Sequence, residues 1–217
     1  MAFEYGPLSR PLEEVLAALQ DGLMREYRRE YLPSHRRSAR QSRRLRRIRW
    51  WNREVGCLAS AIDRVERETI PRIVKDTGHT FHSPDGPVRV LMTPPTKVLF
   101  LAILAGFSED ALPIPANDLA TLGNFADDFH ALALIGDVTL RLKVLPEKGT
   151  ATVDFGALSD RWGLHESRIG SRQIPDGEQL DQEKEALARA VLGLIYVEGG
   201  IDALRELVPL LIRGRAG

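Results

Sequence analysis

One carboxylate stands alone in an apolar run of this 217-residue chain: Asp137, inside the stretch from Phe129 to Leu142. Burying its charge costs several kcal/mol unless a partner is at hand. Two explanations are open: a structural acid satisfied by an arginine or helix-end amides, or an acid kept for chemistry. A second group is larger. Between Arg25 and Arg53 there are twelve arginines and only two acids, Glu26 and Glu30, a local net charge of +10 in a chain that sums to zero. Such a block draws polyanions by neutralising phosphates and releasing counterions, so its binding weakens with salt. Arg36, Arg37, Arg40, Arg43, Arg44, Arg46, Arg47 and Arg49 are the expected RNA contacts. Tyr27, Tyr31, Trp50 and Trp51 lie among the arginines and could stack on unpaired bases. The other readings of the block are docking on an acidic protein, or a solvated face whose Trp50, Trp51, Leu45 and Ile48 anchor a helix. His79 and His82 lie three apart with no cysteine or third histidine nearby, so they read as loop histidines rather than zinc ligands.

The elements that must position these groups are helical. Apolar residues from Leu8 to Leu23 and from Val55 to Val74 recur at three- and four-residue steps, as on amphipathic helices. Val98 to Phe107 and Phe129 to Leu142 are apolar almost throughout and are expected to be buried helices. Asp118 is expected to cap a helix beginning at Leu119. Pro146 to Gly149 breaks the central helix, and 176–181 is expected to be a polar loop. Glu185 to Val208 reads as an apolar helix stopped at Gly199-Gly200 and followed by an amphipathic one. Only Gly86 to Met92, in a segment rich in Gly, Pro and His, suggests a short strand or hairpin arm. The fold class is therefore all-α, with an arginine-rich helical N-terminal region (1–76), a linker or hairpin (77–96) and a helical domain (97–214).

Composition narrows the setting. An apolar fraction of 43% with 28% charged residues is that of a chain that buries a core. A single cysteine, Cys57, excludes a disulfide framework and points to a reducing, intracellular compartment, the cytoplasm or an organellar matrix. With acids early and no apolar stretch at the N-terminus, no secretory signal is expected. The most apolar run is too short to span a bilayer, so no membrane partner is expected. No glycine-rich phosphate loop and no nucleophile elbow occurs.

Two stretches carry a resemblance. Leu132-Ala133-Leu134-Ile135-Gly136-Asp137 follows the end of a signature helix that reads Glu-Arg-Leu-Glu-Phe-Leu-Gly-Asp. Gly193-Leu194-Ile195-Tyr196-Val197-Glu198-Gly199-Gly200 follows a second, which reads Gly-Ala-Ile-Tyr-Leu-Asp-Gly-Gly. Between them, Phe155 to Leu164 is similar to a Leu-Ala-x-x-Ala-x-x-Leu-Gly-Leu element, and Thr121 to Phe125 partly matches a Thr-His-x-Ser-Tyr element. In this order and spacing, over 119–208, the chain resembles the ribonuclease III family.

That resemblance implies an all-helical fold whose members cut double-stranded RNA with a divalent metal held by four acids, two on each signature helix. Hard oxygen ligands and water suit Mg²⁺. By position Asp137 is kept, while Ala133 and His130 stand where the other acids of the first helix would be. Ala186 and Arg189 stand at those of the second. An Arg facing Asp137 would satisfy it without metal and repel Mg²⁺. The expectation is thus a catalytically silent, ribonuclease III-like RNA-binding protein with no cofactor, acting on structured or double-stranded RNA as a ribonucleoprotein component or partner subunit. The alternatives are an Mg-dependent endoribonuclease whose site draws on Asp127, Asp128, Glu183 or Glu185, and a protein-interaction module. The resemblance also implies a homodimer, or a heterodimer with a related subunit, through the signature helix, with Leu134 at the contact. The family's C-terminal double-stranded-RNA-binding domain is expected to be missing, its role passing to the arginine block.

Overall fold

The computed structural model of the chain describes residues 8–31, 38–108, 111–144, 153–170 and 177–212. These are all-helical. The helices are α1 (Leu12–Tyr31), α2 (Ala39–Arg64), α3 (Ile70–Thr77), α4 (Asp85–Leu91), α5 (Pro94–Gly106), α6 (Ala116–Thr139), α7 (Phe155–Trp162) and α8 (Gly177–Ile212). A π-helical turn, Val65–Thr69, joins α2 to α3, and another, Leu140–Val144, extends α6. The first has a local cause. Pro71 has no N–H to donate and its ring crowds the carbonyl four residues back, and the wider turn just before it absorbs both. Among the described residues the one β-type pairing is an isolated bridge between Met92 and Ile169.

The chain divides into two compact units, Met1–Ala61 with Pro94–Asn124, and Ile62–Thr93 with Phe125–Gly217. In the first, α1 buries Leu12, Val15, Leu16, Leu19 and Leu23, one stripe at helical spacing, and α2 buries Leu45, Ile48, Trp51, Val55 and Leu58. Trp51 lies 5.7 Å from the Phe107 ring. Asp118 does not cap the helix that follows it, as the sequence suggests. It sits within the first turn of α6, 1% exposed, and accepts hydrogen bonds from the backbone N–H and hydroxyl of Ser9. A nearly buried carboxylate needs such donors, and Ser9 supplies them from 109 residues away. α5 buries Leu99, Phe100 and Ile103 but leaves Val98 and Leu101 exposed, so Val98 to Phe107 is not buried throughout.

In the second unit the core combines Ile73, Val88, Val90, Leu91, Leu132, Leu140, Trp162, Ile169 and the apolar face of α8 from Leu187 to Ile195. The expected strand at Gly86 to Met92 is instead the helix α4, with Pro87 in its first turn, where a missing N–H costs nothing. The β-like Val-Arg-Val-Leu-Met run ends in one pairing only: the Ile169 N–H donates to the Leu91 carbonyl at 2.8 Å and the Thr93 N–H to the Ile169 carbonyl at 2.9 Å. α7 opens on Asp154, whose carboxylate accepts from the Ala157 N–H at 2.9 Å. Asp76 fixes its far end, accepting from the Arg161 guanidinium at 2.5 and 2.9 Å and from the Trp162 indole at 3.2 Å. α8 is two helices, as the sequence suggests, interrupted at Gly200 with φ 73° and ψ −167°, a conformation that strains any residue with a side chain. The helix before it starts at Gly177, so 177–181 is helical rather than loop. The break expected at 146–149 lies outside the described residues. No helix of the described residues is long and apolar enough to cross a membrane.

Candidate functional site

Two places carry the groups singled out in the sequence. The first is where α6 meets α8. Both helices present glycine at the crossing, and both need it. A Cβ on Gly136 would lie 2.0 Å from the Arg189 carbonyl oxygen, and one on Gly193 would lie 2.0 Å from that of Leu132. Backbone therefore rests on backbone, which only glycine permits. This close approach puts the residues beside the glycines into contact.

Asp137 follows Gly136 directly, and its Oδ1 meets two guanidinium groups. Arg141, one turn along α6, donates from Nε at 2.9 Å. Arg189 brings its Nε to 3.2 Å from the same oxygen, an ion-pair contact without hydrogen-bond alignment. Arg189 is held more firmly by Glu185, one turn earlier on α8, whose Oε2 accepts from Nη2 at 2.6 Å. Its guanidinium carbon also lies 4.7 Å from the centre of the Phe155 ring at the start of α7, a cation–π contact. The Asp137 side chain is 26% exposed, so it is half-buried rather than sunk in a core. Two carboxylates thus share one arginine, with a second arginine on Asp137.

The other positions carried over from the resemblance contribute no oxygen. Ala133 and Ala186 are half-buried. His130 is exposed, its ring 5.0 Å from that of Phe129. Two of the acids that could rearrange a site, Asp128 and Glu183, are engaged elsewhere. Asp128 is 6% exposed and accepts from Arg89 at 3.3 Å. Burial pushes its pKa up against the pull of Arg89, which itself lies 4.1 Å over the Phe125 ring. Glu183 is hydrogen-bonded to Arg168, with His165 3.7 Å away. His79 does not pair with His82. It lies 3.2 Å from Glu198, which also accepts from the His82 backbone N–H at 3.0 Å. Among the described residues no three His, Cys, Asp or Glu side chains converge as a metal site would require. A divalent cation beside Asp137 would meet two guanidinium groups where it needs oxygen, so this donor set does not fit Mg²⁺.

α6 is not enclosed on all sides, contrary to what its composition suggests. It buries Phe125, Ala126, Leu132 and Leu140 but leaves Leu134 65%, Val138 42% and Leu142 68% exposed. These three recur at four-residue steps and form one apolar stripe in solvent. Leu134, the residue placed at a dimer contact, lies on it.

The second place is the outer face of α2. Leu45, Ile48, Trp51, Val55 and Leu58 point into the first unit. At 100° per residue, Arg43, Arg46, Arg49, Trp50, Arg53 and Cys57 fall on the opposite face, Arg47 lies at its edge beside Trp51, and all seven are exposed. The two adjacent tryptophans are thus separated by burial: Trp51 is 3% exposed and Trp50 is 46% exposed. Carboxylates that pair with arginines of the block come from within it or beside it. Arg44 meets Glu30 at 2.5 Å, Arg29 meets Glu26 at 3.5 Å, and Arg53 meets Glu54 at 3.0 Å. Among the described residues Arg40, Arg43, Arg46, Arg47 and Arg49 form no ion pair; Arg43 donates to the Ala39 carbonyl, and Arg47 lies 5.9 Å over the Trp51 ring. Arg36 and Arg37 lie outside the described residues.

Sequence reasoning placed Arg189 against Asp137 and missed the groups that hold it, Glu185 and Phe155. The i, i+4 spacing of Glu185 and Arg189 was the available signal. No family model, no curated protein and no solved structure matches this chain.

Proposed function

We propose that this chain is a ribonuclease III-like RNA-binding protein that holds structured or double-stranded RNA without cutting it, as a ribonucleoprotein component or the partner of a related subunit. The observation that carries the silence is Arg189. Where the resemblance calls for an acid, its guanidinium contacts Asp137 and Glu185 and occupies the acids a metal would need. What supports the binding is the outer face of α2, where cations without ion-pair partners line one side of a helix. The exposed stripe of Leu134, Val138 and Leu142 suits a second subunit packed along α6.

The test is a cleavage assay on a long double-stranded RNA with Mg²⁺ and with Mn²⁺, reading bound and cut RNA on one gel. Binding without cutting is the expected outcome. Metal-dependent cutting that disappears in Asp137→Asn would establish the enzyme instead, with acids recruited from elsewhere. Neither binding nor cutting would assign the arginine face to a protein partner.

A further inference from the structure

Of the four aromatic residues in the arginine block, Trp50 has a particular setting. Arg46 and Arg47 lie one turn before it, Arg47 at the edge of the face, Arg43 two turns before, and Arg53 one turn after. These four arginines span about 15 Å along the helix axis. Of the described large apolar side chains that are strongly exposed, Trp50 is the one on α2. Its indole therefore stands in a frame of guanidinium groups, with a single carboxylate nearby, Glu54, which Arg53 already engages at 3.0 Å.

An indole so framed suits one kind of partner. The centre of a protein–protein interface also favours Trp and Arg, but it gathers them among clustered apolar groups, and no other large apolar side chain of α2 is strongly exposed beside Trp50. A nucleic acid strand presents the complementary pattern, a flat base flanked by phosphates. Whether the strand is paired matters. In an A-form duplex the base faces are covered by their neighbours, so an indole cannot stack on them, whereas unpaired bases in loops, bulges and ends offer a free face. We propose that Trp50, with Arg43, Arg46, Arg47 and Arg53, is a site for unpaired RNA nucleotides, a base stacking on the indole while the arginines take the adjoining phosphates. This rests on the RNA-binding function proposed above and narrows its target: structured RNA is gripped at its single-stranded segments.

The experiment uses the full chain, an unstructured oligouridine and a blunt RNA duplex of equal length, with tryptophan emission and anisotropy as readouts over a salt series. Oligouridine is expected to quench tryptophan emission. Trp50→Ala should weaken oligouridine binding about tenfold or more, the usual scale for losing one stacked base, and change duplex binding less than about twofold. Trp50→Phe should restore most of the loss, since a phenyl ring still stacks. Arg46→Gln with Arg47→Gln should weaken both RNAs and lower the salt slope by about one unit for each phosphate no longer neutralised. Because Trp50 is exposed, its replacement leaves the core intact, and unchanged circular dichroism checks this. If both RNAs bind and Trp50→Ala leaves oligouridine affinity unchanged, the stacking site is wrong while RNA binding stands. If neither RNA binds at low salt, RNA binding itself fails; oligoglutamate binding that depends on Trp50 would then mark an acidic protein partner.

Discussion

Arginine does opposite things at the α6–α8 crossing and on α2. At the crossing Arg189 is 23% exposed, lies over Phe155 and is shared by Asp137 and Glu185, so its charge is consumed within the fold. On α2, Arg43, Arg46 and Arg47 are exposed and pair with no carboxylate among the described residues, so their charge faces solvent. The contrast shows that a residue type has no fixed meaning. An arginine beside half-buried acids has its charge met within the fold, while an arginine on the outer face of a helix whose other face is core keeps its charge in solvent. The backbone decides which, because the glycine contact that draws α6 onto α8 also draws Arg189 onto Asp137.

If the crossing is structural and the α2 face is not, substitutions should separate sharply. Gly193→Val or Gly136→Val forces side-chain atoms into a facing backbone and should cost about 3 kcal/mol or more, read by chemical denaturation. Removing Arg43, Arg46 and Arg49 together should change stability by about 0.5 kcal/mol or less, since exposed side chains away from the core contribute little. Their loss should instead fall on RNA affinity. Neutralising Arg43, Arg44, Arg46 and Arg47 should weaken RNA binding about 100-fold at moderate salt, with a shallower salt dependence. RNA affinity unchanged by those four substitutions would erase the distinction between the two regions.

Much of this was legible in the sequence, and the omissions share a cause. Helical periodicity gave the all-α class; Gly136 and Gly193 lie in the two stretches that carry the resemblance, but that their backbones touch is visible only in the fold. Burial direction was not legible in α5 or α6. In α5 almost nothing polar marks the outer face, so the exposure of Val98 and Leu101 left little trace; in α6 and the turn that extends it, Asp127, His130 and Arg141 share the outer face with Leu134 and Val138, a signal outweighed by the apolar majority. Trp50 and Trp51 posed the same problem in smaller form, until the packing of Leu45 and Ile48 fixed which one faces in. Gly86 to Met92 misled because β-branched alternation over so few residues does not distinguish a strand from a buried helical turn. The long-range pairs, Ser9 with Asp118 and Arg89 with Asp128, depend on tertiary placement and have no local signature.

Within the second unit the acids predict opposite responses to pH. Hydrogen bonding from Arg161 holds the Asp76 carboxyl below its ordinary range against burial, helped by the charge of Arg161 and the Trp162 indole. Its contribution is present above the ordinary carboxylate pKa and lost as the pH falls through the depressed value. Asp76→Asn should therefore cost about 1–2 kcal/mol near neutral pH, the lower end because Arg161 is largely exposed, and progressively less in strong acid. Asp128 runs the other way, its pKa raised by burial more than Arg89 lowers it. The native state there holds its proton more tightly than the unfolded chain, so stability declines as the pH rises through the raised value. Denaturation midpoints of Asp76→Asn and Asp128→Asn across acid and neutral pH should slope apart.

The smallest effect is expected at Asp137. Asp137 is half-buried, its partner Arg141 is 64% exposed, and its contact with Arg189 is not aligned as a hydrogen bond. Arg189 keeps Glu185 and the Phe155 ring when Asp137 is neutralised, so no cation is left stranded. Asp137→Asn should then shift stability by about 0.5 kcal/mol or less, the scale of an exposed ion pair, and leave RNA affinity unchanged. A loss several times larger would mean that the carboxylate organises the crossing rather than decorating it. Glu185→Gln discriminates further, because Glu185 makes the short bond to Arg189. It should free the guanidinium toward Asp137 and cost more than Asp137→Asn, an ordering that denaturation of the two single variants and the double variant would check.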